Sequence, residues 1–377
     1  MKEILIAGAG FSGSVVARIL AEKGYKVTIH EQRSTIGGNA FDENINGIIS
    51  QKYGPHIFHT SSKEVVDFLS KYTEWFEYKH SVKGKIDGKL VPIPFNLTSL
   101  ETLFDNKSSN HIKDVLFKEI GLGKKVPVMQ LRRHKDKEIQ KFGDYVFNKV
   151  FYNYTLKQWD MEPTELNPTI MERVPVNVSY QDMYFPNDLY QVMPKFGFTP
   201  MFEKMLDHPN IKVILNSNIL DILTFEKNNI YLNGKLFKGE VIFTGCIDEL
   251  FNYKYGKLPY RTLDFEFETH NTTSYQEASV VNYPNEEAYT RISEFSKFTC
   301  SPIENYSIIV KEYPRAHKIG DIPYYPIEIK ENILLYEKYL ELAKRYTNLH
   351  LLGRLANYKY INMDLAVLNA INLAKSL

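Results

Sequence analysis

The start of the chain alternates between two hydrophobic patterns. Residues 3–8 form a short apolar run, which is typical of a buried strand. Residues 12–23 carry apolar side chains at helical spacing and are followed by a glycine, a common helix stop. Residues 26–30 form a second strand-like run. This succession predicts a βαβ unit at the start of an α/β fold.

The pattern then changes twice along the chain. Residues 63–72 predict a short amphipathic helix, and residues 78–95 predict a β-rich stretch with a hairpin at 85–90. Residues 98–160 contain little proline and predict a helical insertion, with apolar positions such as Leu116, Ile120, Ile139, Phe142, Val146, Phe147 and Val150.

Strands and helices alternate again in the second half of the chain. We predict helices at 199–207, 331–346 and 363–376, and strands at 211–215, within 219–243, within 262–312 and at 349–354. The βαβ-like parts lie at both ends and near 200–245. A discontinuous Rossmann-like domain is therefore expected.

Composition narrows the class of protein. The 377 residues suggest two or three domains, and a net charge of +1 gives no sign of a nucleic-acid or anionic-membrane partner. The only cysteines, Cys246 and Cys300, form neither a disulfide framework nor a metal site, and they fit a reducing compartment. The apolar run at the start is too short for a signal peptide, and no stretch is long enough to span a membrane. We expect a soluble cytoplasmic protein without a metal.

A glycine-rich turn between the first predicted strand and helix carries the first chemical signal. Residues 8–13 read G-x-G-x-x-G, so Gly8, Gly10 and Gly13 allow a tight turn beside a pyrophosphate. Ser12 lies in this turn, where the N–H groups of the helix start also face the phosphates. Glu31 closes the second strand about 20 residues on, where an acid binds a ribose hydroxyl. The turn predicts a bound dinucleotide.

The residues after Glu31 separate flavin from nicotinamide. The continuation E-x-R-x-x-x-G-G, from Glu31 to Gly38, resembles the glutathione-reductase-like FAD proteins. Residues 241–245 and 352–354 resemble two later flavin contacts of the same proteins. The resemblance implies bound FAD, with Gly38, Asn39, Arg354 and Met363 among its contacts.

Later motifs are specific to one family. Residues 52–60 resemble the histidine-containing flavin loop of the UDP-galactopyranose mutases, residues 94–96 their P-F-N, and residues 154–159 their Y-T-x-K-Q-W. Further matches follow in the family's order at 173–176, 184–185, 190–191, 289–291, 311–314, 323–326 and 353–360. The resemblance spans almost the whole chain. It implies an FAD domain, an inserted helical domain and an antiparallel sheet domain, usually as a homodimer.

The resemblance also implies domain bounds. The FAD-binding domain would comprise 1–75, 199–250 and 345–377, the helical domain 98–172, and the sheet domain 76–97, 173–198 and 251–344. The segment between about 150 and 200 carries Tyr154, Trp159 and Arg173, and we expect it to close over the substrate as a lid.

The implied reaction interconverts the pyranose and furanose forms of a nucleotide sugar, a step of cell-surface polysaccharide precursor synthesis. The FAD would act as a covalent catalyst, active when reduced, through attack of its N5 on the anomeric carbon. An external reductant such as NAD(P)H or a reductase would keep it reduced. The reaction itself would consume no electrons.

Cations and hydroxyl donors would hold the leaving diphosphate. Arg173 and Arg291 would clamp it, since a planar guanidinium matches phosphate oxygens. Tyr184, Tyr325 and Tyr360 would donate to the same oxygens.

Other residues would contact the base, the sugar and the flavin. Tyr154 and Trp159 would hold the base and ribose. Asn96 and His59 would lie near the sugar, and His56 would lie over the flavin.

Departures from the family pattern bear on the sugar. Ile361 and Asn362 stand where tyrosine and aspartate are common, which suggests a less polar sugar substituent beside Asn362. Phe196, Asn177 and Asn357 also replace family residues, and Phe196 puts a close backbone approach in doubt. UDP-galactopyranose is favoured because that branch is large, dTDP-fucopyranose is a rival, and UDP-N-acetylgalactosamine is less favoured.

Two other classes share the early flavin motifs. A redox flavoenzyme, such as an amine oxidase or a protoporphyrinogen oxidase, would oxidise its substrate and need an electron acceptor. A non-catalytic flavin-binding protein would not depend on Arg291. The alternatives stay open at this point.

Overall fold

Two compact units make up the chain. The computed structural model describes residues 3–162, 175–299 and 302–377. Unit 1 comprises Met1–Glu77, Asp188–Arg261 and His317–Leu377, and unit 2 comprises Tyr78–Asn187 and Thr262–Ala316. The finer division into three domains stays a prediction.

A five-stranded parallel sheet forms the centre of unit 1. In spatial order its strands are Ile211–Ile214, Lys26–His30, Glu3–Ala7, Glu240–Phe243 and Leu349–Leu351. The first strand is almost entirely buried, as expected of a parallel strand with both faces covered. The predicted βαβ opening and the discontinuous Rossmann-like fold are confirmed.

Three helices of unit 1 position the glycine turn. The first helix, Phe11–Glu22, begins directly after Gly10, and the last helix, Met363–Ser376, is fastened beside it. Lys23 bonds to the carbonyl of Ala374. The helix Phe198–Leu206 packs its aromatic side chains edge-on against Phe11.

Several small elements of unit 1 were not predicted. Asp42–Ile45 and Ile48–Gln51 form a hairpin, and the Asn46-Gly47 dipeptide at its turn is the signal that could have revealed it. Phe58–Thr60, Tyr190–Pro194 and Trp75–Glu77 form an antiparallel three-stranded sheet. The predicted helices at 63–72 and 331–346 are present as Lys63–Leu69 and Lys330–Ala343, and the strands predicted within 219–243 include Leu223–Glu226, Asn229–Leu232 and Lys235–Leu236. The other elements are Gly38–Ala40, Ile219–Asp221, Ile247–Leu250 and Tyr325–Pro326.

The predicted helical insertion is confirmed within unit 2. Its helices are Leu97–Leu103, Asn106–Glu119, Val128–Arg132, Lys137–Val146 and Asn153–Trp159, with a π-helical stretch at Phe147–Tyr152. The predicted apolar positions Leu116, Ile139, Phe142, Val146 and Phe147 are buried in one core, against which Ile120 and Val150 also pack. A short antiparallel pair, Lys125–Pro127 with Pro175–Asn177, closes the same region.

A mostly antiparallel sheet completes unit 2. Its strands, in spatial order, are residues 262–270, Ser307–Ala316, Arg291–Glu294, Val280–Asn282, Val82–Ile86 and Lys89–Ile93. Val82–Ile86 and Lys89–Ile93 are the predicted hairpin, which turns at Asp87-Gly88 with positive φ at both residues. The strand Tyr260–His270 begins in unit 1, where Arg261 pairs with Tyr325.

Candidate functional site

Two of the three glycines in the turn of unit 1 leave no room for a side chain. Gly8 has a φ of +95°, and a Cβ on Gly13 would overlap the carbonyl oxygen of Gly8. Gly10 differs, because the atom nearest to a Cβ there would lie 3.6 Å away, on Gly38. Gly8 and Gly13 therefore shape the turn, whereas Gly10 leaves a surface that an incoming group can approach closely.

The turn is braced by the segment that the sequence pattern placed beside it. The amide of Ala9 donates to Glu31 Oε2 at 2.8 Å, and the carbonyl of Ala9 accepts from the amide of Gly37 at 2.9 Å. Glu31 Oε1 accepts from the amide of Arg33 at 2.9 Å. The Glu31 carboxylate thus ties two loops together, and each oxygen keeps a further lone pair for a ribose hydroxyl. The ribose contact stays a prediction.

Arg33 is the arginine of the E-x-R-x-x-x-G-G pattern and was not predicted as a site residue. Its Nη2 donates to Asn39 Oδ1 at 2.8 Å, and its guanidinium lies over the Tyr53 ring, 4.3 Å from the centroid. Its Nη1 is buried and has no hydrogen-bond partner among the described residues. A buried cationic donor without an acceptor is costly, so this geometry fits an anionic or polar ligand group beside Arg33 and Asn39.

The turn at Gly353 approaches the first helix. Gly353 has a φ of +92°, and a Cβ there would lie 2.9 Å from Ser12 Oγ. The Asn357 amide donates to the Gly353 carbonyl at 3.0 Å, a bond that an ionised glutamate at this position could not donate. Asn357 therefore fixes the turn that brings Gly353 to Ser12.

Arg354, the next residue, gathers two predicted substrate tyrosines. Its Nη2 donates to the carbonyl of Ile361 at 2.7 Å, and Nη1 donates to the carbonyl of Tyr324 at 3.1 Å. The guanidinium lies 5.4 Å from the ring centre of Tyr325 and 4.7 Å from that of Tyr360. Unit 1 thus brings Arg354, Tyr325 and Tyr360 together.

The last helix begins beside this group. Asn362 is its N-cap residue, yet the Asn362 side chain makes no capping hydrogen bond. Asparagine at this position usually caps with its side-chain oxygen. The amide is therefore not committed to the helix, and Met363 is the first helical residue. Ile361 is buried, 8% exposed.

The two histidines of the 52–60 loop differ in their surroundings. His56 Nδ1 lies 2.8 Å from the carbonyl oxygen of Gly54, and its backbone is held by Gln51. Desolvation lowers the pKa of His56 to about 4, so its imidazole is neutral at pH 7. His59 Nδ1 lies 2.6 Å from Asp188 Oδ2.

Phe196, a departure from the family pattern, has an exposed side chain. Its ring is 54% exposed, while the following Gly197 keeps a φ of +91°. A Cβ on Gly197 would lie 2.8 Å from the Asp42 carboxylate, which accepts the amides of Phe198 and Thr199. The glycine that this helix start requires is therefore present.

Unit 2 joins two predicted site residues directly. Arg291 Nη2 donates to the Tyr154 hydroxyl at 3.2 Å. On its other side Arg291 forms an ion pair with Glu312, whose Oε2 lies 3.2 Å from Arg291 Nε. Lys157 also fastens the Tyr154 helix, by donating to the carbonyl of Tyr283 at 2.8 Å.

The other predicted site residues of unit 2 are more varied. Asn96 is fully buried and caps the helix Leu97–Leu103, with its amide donating to Asp182 Oδ1 at 2.9 Å. Tyr184 is 37% exposed and packs edge-on against the buried His80 ring, which sequence reasoning missed. Trp159 is partly exposed at the end of its helix. Their substrate roles stay predictions.

Arg173 lies outside the described residues, as do residues 163–174 of the predicted lid. Asn177 is described, and its buried Oδ1 has no hydrogen-bond partner in the described part of the chain. Over the same part, no group of three or more histidine, cysteine or acidic residues could hold a metal ion. No described helix is long and apolar enough to cross a bilayer.

Comparison with known families decides the assignment. The family model for UDP-galactopyranose mutase matches residues 149–360, which is more than half of the chain. The chain belongs to this family. A second family model, the NAD(P)-binding Rossmann-like domain, matches residues 6–72. The chain is therefore a member of a family of isomerases, built on a dinucleotide-binding domain.

Relatives extend the match over the whole chain. A probable UDP-galactopyranose mutase of Klebsiella pneumoniae is 38% identical, over 99% of this chain and 94% of its own length. A dTDP-fucopyranose mutase of Escherichia coli is 34% identical, over 100% of this chain and 98% of its own. The crystal structure of a reduced UDP-galactopyranose mutase shares the fold, with a TM-score of 0.74 and 16% identity, and the match covers 100% of this chain and 93% of that one.

Proposed function

We propose that this chain is an FAD-dependent nucleotide-sugar mutase that interconverts pyranose and furanose forms, with UDP-galactopyranose as substrate. The contact between Arg291 and Tyr154 carries the proposal. It places a guanidinium beside a hydroxyl, and both groups can donate hydrogen bonds to the oxygens of a diphosphate. Family membership gives the class of reaction. The flavin, the sugar and the residue roles are the proposed part.

The residues of unit 1 fit an FAD. The glycine turn would hold the pyrophosphate at the start of the first helix, and Glu31 would hold the ribose. The buried Nη1 of Arg33 would find its acceptor on the cofactor. When bound and reduced, the flavin would supply the nucleophile for the anomeric carbon and recover its electrons at the end of each turnover. NAD(P)H or a reductase would reduce it.

The residues of unit 2 would hold the leaving nucleotide. Arg291 would stabilise the negative charge that gathers on the diphosphate as the glycosidic bond breaks. Tyr154 would contact the nucleotide beside it, and the ion pair with Glu312 would keep the guanidinium in place. Tyr184 would donate its hydroxyl to the diphosphate.

A second sugar is a specific rival. Asn362 carries a neutral amide that does not cap the last helix, and it stands where a carboxylate is common in the family. A 6-deoxy sugar lacks the hydroxyl that would donate a hydrogen bond to such a carboxylate. The 34% identity to a dTDP-fucopyranose mutase points the same way. dTDP-fucopyranose is therefore the alternative substrate.

Product analysis tests the proposal. Dithionite-reduced enzyme is incubated with UDP-galactose and, separately, with dTDP-fucose, and the furanose product is resolved by chromatography. We expect conversion of one of the two sugars by reduced enzyme only. Consumption of an electron acceptor is measured in parallel, because a mutase uses none per turnover whereas a redox flavoenzyme that oxidises its substrate uses one equivalent.

Two outcomes would overturn the proposal. Conversion by oxidised enzyme without any reduction would remove the role given to the flavin. Failure of the reduced, FAD-loaded enzyme to isomerise either sugar would reject both substrates.

A further inference from the structure

We infer that Asp188 is a positioning residue that fixes the proton on His59. Its carboxylate would keep the hydrogen on Nδ1 of the imidazole, which leaves Nε2 as the atom that accepts a proton from the bound sugar. The inference rests on the proposed function, since it gives a part in the sugar chemistry to the His59 ring.

The contact between the two side chains defines the tautomer. Asp188 Oδ2 lies 2.6 Å from His59 Nδ1, and the two side chains are 28% and 13% exposed. An ionised carboxylate only accepts hydrogen bonds, so Nδ1 must carry the hydrogen. In the neutral imidazole the other nitrogen, Nε2, is then the acceptor.

His59 lies in a strand of unit 1, and Asp188 lies two residues before the strand that pairs with it. His59 is the middle residue of Phe58–Thr60 and pairs with Gln191 of the strand that follows Asp188. The second oxygen of Asp188, Oδ1, accepts from the Ser61 hydroxyl at 3.4 Å. Thr60 is buried and donates its hydroxyl to Asp364 on the last helix at 3.0 Å. The imidazole is thus oriented before any ligand arrives.

The proposed reaction requires proton transfers that such a ring could carry out. Changing a sugar from pyranose to furanose removes a proton from one hydroxyl and returns a proton to another. A histidine ring has two nitrogens, so one can exchange a proton with the sugar while the other stays bonded to Asp188. After Nε2 accepts a proton, the ring is positively charged, and the adjacent Asp188 carboxylate would stabilise that charge.

Replacing the carboxylate by an amide separates this role from simple packing. In D188N the side-chain NH₂ can donate to Nδ1, which favours the hydrogen on Nε2 instead. We expect ¹H–¹⁵N spectra of ¹⁵N-histidine-labelled holoenzyme to show Nδ1–H for His59 in the wild type and Nε2–H in D188N, with H59Q identifying the signal. We expect kcat to fall about 10²-fold or more, with little change in KM.

Three comparisons keep the test specific. E119Q changes a similar pair, His134 with Glu119 at 2.9 Å, on the helical part of unit 2, and should leave kcat unchanged. D188E, which keeps the carboxylate, should recover part of the lost kcat. In an H59Q background, D188N should have no further effect, because the ring that it positions is gone.

Several results would overturn the inference. Wild-type kcat in D188N would do so, as would an unchanged His59 tautomer or an undiminished effect of D188N in the H59Q background. The proposed function fails differently, namely if reduced wild-type enzyme isomerises neither sugar. In that case the His59 spectra of the wild type and D188N still decide whether Asp188 sets the tautomer.

Discussion

Arg291 and Glu312 face each other across two antiparallel strands, with Nε 3.2 Å from Oε2. Glu312 is buried, and its Oε1 has no hydrogen-bond partner among the described residues. Burial raises the pKa of Glu312, and the charge of Arg291 opposes that rise. The Nε side of the guanidinium thus forms an ion pair with Glu312, while Nη2 donates to the Tyr154 hydroxyl.

Removing the guanidinium should abolish turnover without loss of cofactor. We expect R291A to lower kcat/KM about 10³-fold, because the diphosphate loses one of the two arginines predicted to clamp it. FAD content, read from the flavin absorbance, should match the wild type. R315A removes a partly exposed arginine of the neighbouring strand, paired with Asp264, and serves as control. Wild-type turnover by R291A would reject the diphosphate role of Arg291.

The buried carboxylate of Glu312 should make the stability of the protein depend on pH. The raised pKa of Glu312 means that it stabilises the fold below its ordinary value of 4.5 and loses this contribution as pH rises through the folded pKa. The free energy of unfolding of E312Q should therefore rise relative to that of the wild type as pH rises above 4.5. Urea unfolding of apoprotein across this range measures the difference.

An acid with the opposite shift provides the control for E312Q. Lys311 lowers the pKa of Glu268, so E268Q should lose ground to the wild type as pH rises towards 4.5 and change little relative to it above 4.5. Parallel pH curves for the wild type and E312Q would contradict the assignment of the buried charge to Glu312.

Two glycines of the turn should respond differently to alanine. G10A has space for its methyl group, whereas G13A places one against the Gly8 carbonyl. We expect G10A to fold and to bind FAD about 10-fold or more weakly, because the methyl group would occupy the surface that approaches the cofactor. G13A should not fold stably. FAD titration and thermal unfolding distinguish the two, and tight FAD binding by G10A would argue against a pyrophosphate at this turn.

His56 should contribute to acid sensitivity. Its pKa is lowered from 6.5 to about 4 in the folded protein, so its contribution to stability is present above pH 6.5 and is lost as pH falls towards 4. The wild-type apoprotein should lose more free energy of unfolding between pH 7 and 5 than H56Q does, by about 1–2 kcal/mol. Equal losses in the two proteins would show that His56 is solvated in the native state.

Local patterns were sufficient to predict much of the fold. The glycine turn, Glu31 and the Gly37-Gly38 pair were each visible in the sequence, and the structure shows them bonded through Ala9. The helical insertion followed from apolar spacing that the core of unit 2 confirms. Each of these features lies in a short stretch of sequence, so a motif revealed the glycine turn and Glu31, a resemblance to FAD proteins revealed Gly37-Gly38, and apolar spacing revealed the helical insertion.

Long-range pairing was beyond the sequence patterns. The three-stranded sheet joins segments near residues 58, 75 and 190, each too short to show a period. The contact of Asp188 with His59 depends on that pairing, so no local motif predicted it. The orphan donor of Arg33 is likewise a property of packing. Arg173 lies outside the described residues, so its role stays a prediction.

The three-part composition of unit 1 has a consequence for synthesis on the ribosome. The glycine turn emerges early, yet the strand Leu349–Leu351 and the helix Met363–Ser376 that complete its surroundings are translated after both stretches of unit 2. The nascent chain must therefore carry an unfinished parallel sheet until both stretches of unit 2 have been made.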